Sequence, residues 1–295
     1  VYFTVDTDEG EPVAGLMADS FRIYEDDRLV SIHESKQTIL NPEVAAVHNT
    51  LLLVDMSGSV TESGDLPTVI DAASSFADRI RNTQKVAVYT FDGRKDLQRV
   101  VHFDNNPDRL RSRISRLQDA KTRDPSTNLN GAVVKALKVL DRQMRNASVP
   151  LRFGTLVVFT DGSDRAARVT REQLAQAIDA SEHDIMVIGD GSEIDEEELG
   201  MIGRDGVIVR GDRAEISAAF SEAADRIDAF ASRYYLLGYC SPARAGQHTV
   251  RIEATVDGKS GSLSYDFNAR GFRPKCDPEK KPRFNVRRPR AGPSS

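Results

Sequence analysis

The chain has 295 residues, of which 39% are hydrophobic and 29% are charged, as in ordinary globular proteins. This composition excludes intrinsic disorder over the whole length, and the length predicts about two domains. The 40 basic and 45 acidic residues give a net charge of −5, which argues against a nucleic-acid-binding protein. No apolar run approaches the ~18 residues of a transmembrane helix, so we predict no transmembrane segment in this chain.

The start of the chain alternates apolar and polar residues between turn signals, which is typical of β-strands. Val1, Phe3 and Val5 form one such alternation, and Phe21–Tyr24 begins another after a Gly/Pro turn. We therefore predict an N-terminal β segment over residues 1–47.

From Thr50 onward the pattern changes. Leu51–Val54 is a short continuous apolar run, typical of a strand buried on both faces of a parallel sheet. An amphipathic helical stripe, Leu66–Ile80, follows it. Strands and helices then alternate, with a capping box at Thr170 and Gln173 that predicts another helix start. This order predicts an α/β domain with a doubly wound, mostly parallel sheet over residues 48–232.

The end of the chain returns to strand patterns, including an Asp257-Gly258 hairpin signal. Neither end has enough strands to bury a core alone. We therefore predict that a C-terminal β segment, 233–275, pairs with residues 1–47 in a flanking β-sandwich-like domain. Residues 276–295 are rich in Pro, Lys and Arg, which predicts a basic flexible tail.

The two cysteines, Cys240 and Cys276, are too few for a cysteine-built zinc site. A disulfide between them would close a loop of about 36 residues and stabilise the fold by about 4 kcal/mol in the chain-entropy model. Two separate thiols are the alternative, and the sequence leaves both open.

Polar residues cluster where strands end and helices begin. Asp55, Ser57 and Ser59 follow the first buried strand, Asp161 follows a later one, and Thr127 precedes a helix. Ligands of open α/β sheets bind beyond the carboxyl ends of the strands. Two carboxylates and three hydroxyls suit a hard cation such as Mg²⁺ or Mn²⁺ better than Zn²⁺ or Cu²⁺.

The Asp-x-Ser-x-Ser string at Asp55–Ser59, the later Thr127 and the Thr-Asp-Gly string at 160–162 together resemble the metal-ion-dependent adhesion site of a von Willebrand factor type A domain. The resemblance covers roughly residues 48–232. Residues 6–27 resemble the N-terminal segment that precedes this domain in bacterial extracytoplasmic proteins of this type, with Asp27 where a turn glycine is usual. The resemblance implies an extracytoplasmic location: periplasmic, cell-surface or secreted. The chain opens with Val-Tyr-Phe-Thr-Val rather than with Met and a charged segment, which is typical of a processed or trimmed chain and leaves a targeting segment upstream open.

The resemblance further implies that the hydroxyls hold Mg²⁺, with Mn²⁺ or Ca²⁺ as alternatives, and that an Asp or Glu of a partner protein completes the coordination. The expected function is a protein-binding, adhesion-type module and not an enzyme. Basic side chains on the surrounding loops would favour an acidic partner. The candidates for this rim are Arg94, Lys95, Arg123, Arg165 and Arg168.

Two other hypotheses remain open from the sequence. The protein could be a structural scaffold in which the ion only stabilises loops. It could also be a metal-dependent hydrolase, but that chemistry needs a general base, and the sequence offers no candidate beyond the aspartates themselves.

Overall fold

The computed structural model describes residues 1–40, 46–147, 149, 151–191, 195–210 and 215–280. The chain divides into two compact units, one spanning residues 47–228 and one formed by the two ends of the chain. Most of the predicted tail, residues 281–295, lies outside the described residues. In the part of the chain that is described, no helix has both the length and the apolarity needed to cross a membrane.

The described residues form thirteen strands and eight α-helices. The strands are β1 (Tyr2–Thr4), β2 (Phe21–Glu25), β3 (Arg28–Leu29), β4 (Thr38–Leu40), β5 (Ala46–Asp55), β6 (Lys85–Phe91), β7 (Gln98–Asp104), β8 (Leu151–Thr160), β9 (Asp184–Asp190), β10 (Gly206–Arg210), β11 (Tyr234–Gly238), β12 (Gln247–Val256) and β13 (Lys259–Asn268). The helices are α1 (Ile32–Ser35), α2 (Gly58–Glu62), α3 (Leu66–Ile80), α4 (Pro107–Ile114), α5 (Leu129–Asn146), α6 (Arg171–Asp179), α7 (Glu196–Ile202) and α8 (Ile216–Ser232). Short 3₁₀ helices lie at Ala18–Ser20 and Ser115–Asp119.

The α/β unit is built on a six-stranded sheet with the order β10-β9-β8-β5-β6-β7. The pairs β5–β6, β8–β9 and β9–β10 are parallel, and β7 joins the edge antiparallel to β6. The mostly parallel sheet and the flanking antiparallel sheets confirm the predicted fold class.

Helices cover both faces of this sheet, and alternate residues of β5 pack on opposite faces. Leu52 and Val54 face the core beneath α3, α4 and α8, whereas Leu51 and Leu53 face the core beneath α5, α6 and α7. All four side chains are fully buried. Such burial stabilises by about 1.5–3 kcal/mol for each side chain, so the carboxyl end of β5 is firmly positioned.

The unit formed by the chain ends contains two antiparallel sheets, with the orders β1-β11-β4 and β13-β12-β2-β3. Each sheet combines strands from both ends of the chain: β11 lies between β1 and β4, and β12 pairs with β2. Phe21, Ile23, Leu237 and Ile252 form part of their shared core. Cys240 and Cys276 form a disulfide with a Cα–Cα distance of 5.7 Å. The sequence left open a disulfide or two separate thiols, and the structure contains the disulfide.

The turn between β2 and β3 explains the unusual Asp27. Asp26 and Asp27 have φ angles of 49° and 63°, in the left-handed region that favours glycine. Aspartate is among the few other residues that tolerate this region, because its short polar side chain bonds locally. The Asp26 carboxylate accepts a hydrogen bond from the Thr249 N–H at 3.0 Å and lies 2.7 Å from the His248 Nδ1.

Candidate metal centre

The predicted metal ligands lie at the carboxyl-end edge of the six-stranded sheet. Asp55 is the last residue of β5, and Asp161 directly follows β8, the neighbouring strand. Ser57 precedes α2 and Ser59 lies in its first turn, while Thr127 lies two residues before α5. Three separate loops therefore contribute to one edge of the sheet.

Four of the five residues form a continuous chain of hydrogen bonds. The Ser57 N–H donates to Asp55 Oδ1 at 2.8 Å. The hydroxyls of Ser57 and Ser59 are 3.2 Å apart, and Ser59 donates to Asp161 Oδ1 at 2.9 Å. The structure thus brings Asp55, Ser57, Ser59 and Asp161 together.

The loop that carries Thr127 is held against the other two loops. The Thr127 carbonyl accepts hydrogen bonds from the N–H groups of Arg165 and Ala166, each at 2.9 Å. The Gly58 N–H donates to the Pro125 carbonyl at 2.9 Å. A Cβ at Gly58 would lie 3.0 Å from the Pro125 Cβ, so this close approach of the two loops favours glycine. Thr127 itself is 4% exposed.

The two carboxylates are electrostatically coupled. Asp55 is fully buried, and its Oδ2 accepts a hydrogen bond from Thr160 Oγ1 at 2.7 Å. Burial, and then the negative charge of Asp161, raise the pKa of Asp55 to about 7. A cation beside both carboxylates would offset this cost and favour their ionised forms.

The donor chemistry fits a hard divalent cation. The candidate ligands are all oxygens, from two carboxylates and three hydroxyls, and such oxygens suit Mg²⁺ and Mn²⁺. Among the described residues, no group of three or more His, Cys, Asp or Glu side chains could hold a metal ion. A cation here would therefore depend on the hydroxyls as well as on the carboxylates.

Two further residues shape the centre and were not singled out from the sequence. Thr160 fixes the Asp55 carboxylate as described above. Asp92, which follows β6, is 3% exposed and accepts hydrogen bonds from the Arg94 N–H at 2.9 Å and the Arg123 N–H at 3.4 Å. Its position after a buried strand, like that of Asp55, was the available signal.

Two of the predicted rim side chains are engaged within the protein. The Arg94 guanidinium pairs with Asp92 at 2.9 Å. Arg168 donates to the Gly93 carbonyl at 2.7 Å and pairs with Asp124 at 3.3 Å. These contacts hold the loops around the centre to one another.

The other rim residues also join this loop network through their backbones. The N–H groups of Arg123 and Arg165 bond Asp92 and Thr127, as given above, and the Lys95 carbonyl accepts a hydrogen bond from Lys135 Nζ. The predicted rim therefore has a part in ordering the loops, whatever it contributes to a ligand.

Comparison with known proteins gives the fold a family context. Residues 50–163 match the family model of the von Willebrand factor type A domain. A von Willebrand factor type A structure from Catenulispora acidiphila is similar, with a TM-score of 0.50 and 15% identity, covering 77% of this chain and 67% of that one. No curated protein sequence matches significantly.

Proximal thread matrix protein 1 of the mussel byssus is also similar, with a TM-score of 0.51 and 15% identity, covering 62% of this chain. This chain spans 49% of the mussel protein's length. A second structure of the mussel protein is described as having zinc in its metal-ion-dependent adhesion site (MIDAS) motif. It matches with a TM-score of 0.51 and 16% identity over 62% of this chain and 48% of that one. At such identities the neighbours establish the fold. Together, the family model and the structural neighbours support a von Willebrand factor type A domain in the α/β unit of this chain.

Proposed function

We propose that the α/β unit is a divalent-metal-dependent protein-binding module. In this proposal Asp55, Ser57, Ser59, Thr127 and Asp161 hold Mg²⁺, and a carboxylate of a partner protein binds at the ion. The observation that carries the proposal is the series of hydrogen bonds that links Asp55 to Asp161 through the Ser57 N–H and the hydroxyls of Ser57 and Ser59.

The balance of charges supports capture of a carboxylate. In this proposal the three hydroxyls contact the ion directly, whereas the two aspartates act on it largely through water, as in the family that the sequence resembles. Neutral direct ligands would leave the ion with an electrophilic position for an external anion. Asp55 is buried, whereas Ser59 is exposed, so the side of the centre nearest Ser59 is the one open to a partner.

The chemistry of the hydrogen-bonded residues at the candidate metal centre favours binding over catalysis. Their titratable groups are Asp55 and Asp161, which would both serve the ion. A hydrolytic mechanism needs a separate group to accept the proton of the attacking water. We therefore propose that the protein is not an enzyme.

The disulfide supports the proposed extracytoplasmic location. Disulfides persist in oxidising compartments and are rare where thiols are kept reduced. Cys240 and Cys276 are paired in the structure. Together with the resemblance of residues 6–27 to the N-terminal segment of bacterial extracytoplasmic proteins, this favours a periplasmic, surface or secreted bacterial protein.

Titration calorimetry of the chelator-treated protein with Mg²⁺ tests the metal centre. We expect one binding event that weakens at least tenfold in Ser59→Ala and Thr127→Ala. The matched control is Ser63→Ala, because the Ser63 hydroxyl donates a hydrogen bond to the Val60 carbonyl of α2 and lies outside the donor set. Equal affinities in all four proteins would refute the assignment.

Carboxylate capture needs a second measurement. We expect binding to a peptide array in Mg²⁺ that is lost in EDTA and on peptides whose carboxylates are methyl-esterified. If Mg²⁺ binds and raises the melting temperature, but array binding is the same in EDTA, the ion only stabilises the loops and the scaffold hypothesis replaces this one.

A further inference from the structure

A basic groove of about 640 Å³ lies on the α/β unit, outside the donor set of the metal centre. Its floor includes Tyr89, Leu97 and Val139, and its cations include Lys138, Arg142 and Arg145. We use "basic groove" for the surface formed by these six residues.

The fold explains why the groove is open. Tyr89 lies on β6, and Leu97 immediately precedes β7, the edge strand of the sheet. The three cations and Val139 lie on α5, which packs beside β8 nearer the sheet centre. The basic groove therefore runs between α5 and the edge of the sheet formed by β6 and β7.

Its three cations stand at positions i, i+4 and i+7 of α5, on one face of the helix. Like charges at this spacing destabilise a helix by roughly 0.2–0.5 kcal/mol per pair. The chain as a whole carries a net charge of −5. The helix thus concentrates positive charge on one face, at a small cost to its own stability.

Two acidic residues also line this cavity, but each contacts another side chain rather than these cations. Asp96 pairs with Lys135 at 2.6 Å, and Asp141 contacts His183 Nε2 at 2.9 Å. Within the described ranges, Lys138, Arg142 and Arg145 form no ion pair. These three residues are exposed to solvent.

We propose that the basic groove binds an acidic, extended segment of a partner protein. The rise of 1.5 Å per helical residue places Lys138 and Arg142 about 6 Å apart along α5. Alternate residues of an extended peptide are separated by about 6.6 Å, so carboxylates at i and i+2 match this spacing. The apolar side chains of Leu97 and Val139 can contact apolar side chains of such a segment, and a polysaccharide offers no such side chains.

The test uses the full chain in EDTA, so it does not depend on the metal centre. The probe is a fluorescent decapeptide of sequence Glu-Leu-Glu-Ser-Glu-Leu-Glu-Ser-Glu-Leu, followed by fluorescence polarisation. We expect saturable binding that weakens at least tenfold in Lys138→Glu/Arg142→Glu. This double variant keeps two like charges four residues apart and similar helix propensities, so α5 is expected to remain folded.

The control double variant is Arg113→Glu/Arg116→Glu, which reverses two exposed charges outside the groove. We expect it to change the affinity less than twofold, whereas equal weakening in both variants would mean general charge attraction and would overturn the proposal.

A floor variant, Val139→Ser, separates an apolar contact from charge alone. We expect it to weaken this peptide at least threefold, but to leave unchanged the weaker binding of a peptide with Ser at every Leu position. No binding of the decapeptide to the wild type, or tighter binding of heparin or of phosphatidylserine vesicles through the same cations, would reject a protein partner.

Discussion

Thr160 connects the core of the α/β unit to the candidate metal centre. It is the last residue of β8 and is fully buried. Its hydroxyl donates a hydrogen bond to Oδ2 of the buried Asp55 at 2.7 Å. The same hydroxyl is 3.0 Å from the Gly162 carbonyl. One side chain therefore orients a candidate ligand and the turn that carries Asp161.

We predict that Thr160→Val destabilises the metal-free protein by about 1–3 kcal/mol, because it leaves a buried carboxylate oxygen without its donor at nearly constant volume. Urea denaturation in EDTA measures this change. Thr155→Val on the same strand is the matched control, since the Thr155 hydroxyl has no side-chain hydrogen bond among the described residues. Equal stabilities of the two variants would contradict the role given to Thr160.

The sequence predicted which residues converge, but not how they are supported. Asp55, Ser57, Ser59 and Asp161 follow strands whose carboxyl ends share one sheet edge, so their proximity could be inferred from strand order. The direction of the Thr160 side chain could not, because strand boundaries read from sequence are uncertain by a residue or more and each shift reverses the face. The convergence itself is now visible, whereas metal binding there is still a prediction.

At the scale of elements, the candidate centre occupies one edge of the sheet and an aromatic stack lies near the other ends of the same two strands. The His48 ring of β5 stacks on Phe153 of the neighbouring β8, with centroids 4.7 Å apart. Burial lowers the pKa of His48 to about 4. The stack therefore joins two neighbouring strands through a neutral imidazole at physiological pH.

This stack predicts a pH dependence of stability. The unfolded chain, with a His pKa near 6.5, binds a proton that the folded chain rejects until about pH 4, so stability falls as the pH drops through this window. From pH 8 to pH 5 we expect His48 to contribute a loss of about 2 kcal/mol. His48→Phe keeps an aromatic ring without the titration, and denaturation of both proteins across this range isolates the effect. Parallel pH profiles would contradict it.

Long, strongly patterned elements were predictable and short or irregular ones were not. The α3 stripe and the capping box of α6 are present as the sequence predicts. By contrast, β7 pairs with β6 through register shifts and does not show a clean alternation of buried residues. Helix α7 has only seven residues, too few for a clear hydrophobic period.

For the whole molecule, the two ends of the chain form one compact unit and the middle forms another. The length alone predicted about two domains. The proposed boundaries near residues 47 and 232 depended on where strand patterns stop alternating with helices. The disulfide could not be settled from the sequence, because two cysteines give no spatial information until the strands around them are paired.

The disulfide gives a prediction about the independence of the two units. We expect Cys240→Ser/Cys276→Ser to destabilise the unit of the chain ends by about 4 kcal/mol, the loop-closure entropy of 36 residues. Hydrogen exchange should show faster exchange in β11 and β12, with β5 and β8 unchanged. Wild-type protein in reductant serves as the control and should match the double variant. Equal loss of protection in all four strands would contradict two independent units.

The pairing of both chain ends also has a consequence for biosynthesis. Ile23 of β2 pairs with Ile252 of β12. A ribosome that adds 5–20 residues per second synthesises Ile252 roughly 10–50 s after Ile23. During that interval Phe21 and Ile23, fully buried in the finished protein, lack β12, the strand that pairs with them. The nascent N-terminal segment is therefore exposed to aggregation while the α/β unit emerges, and we expect a holding chaperone to raise the yield of this protein more than that of its isolated middle segment.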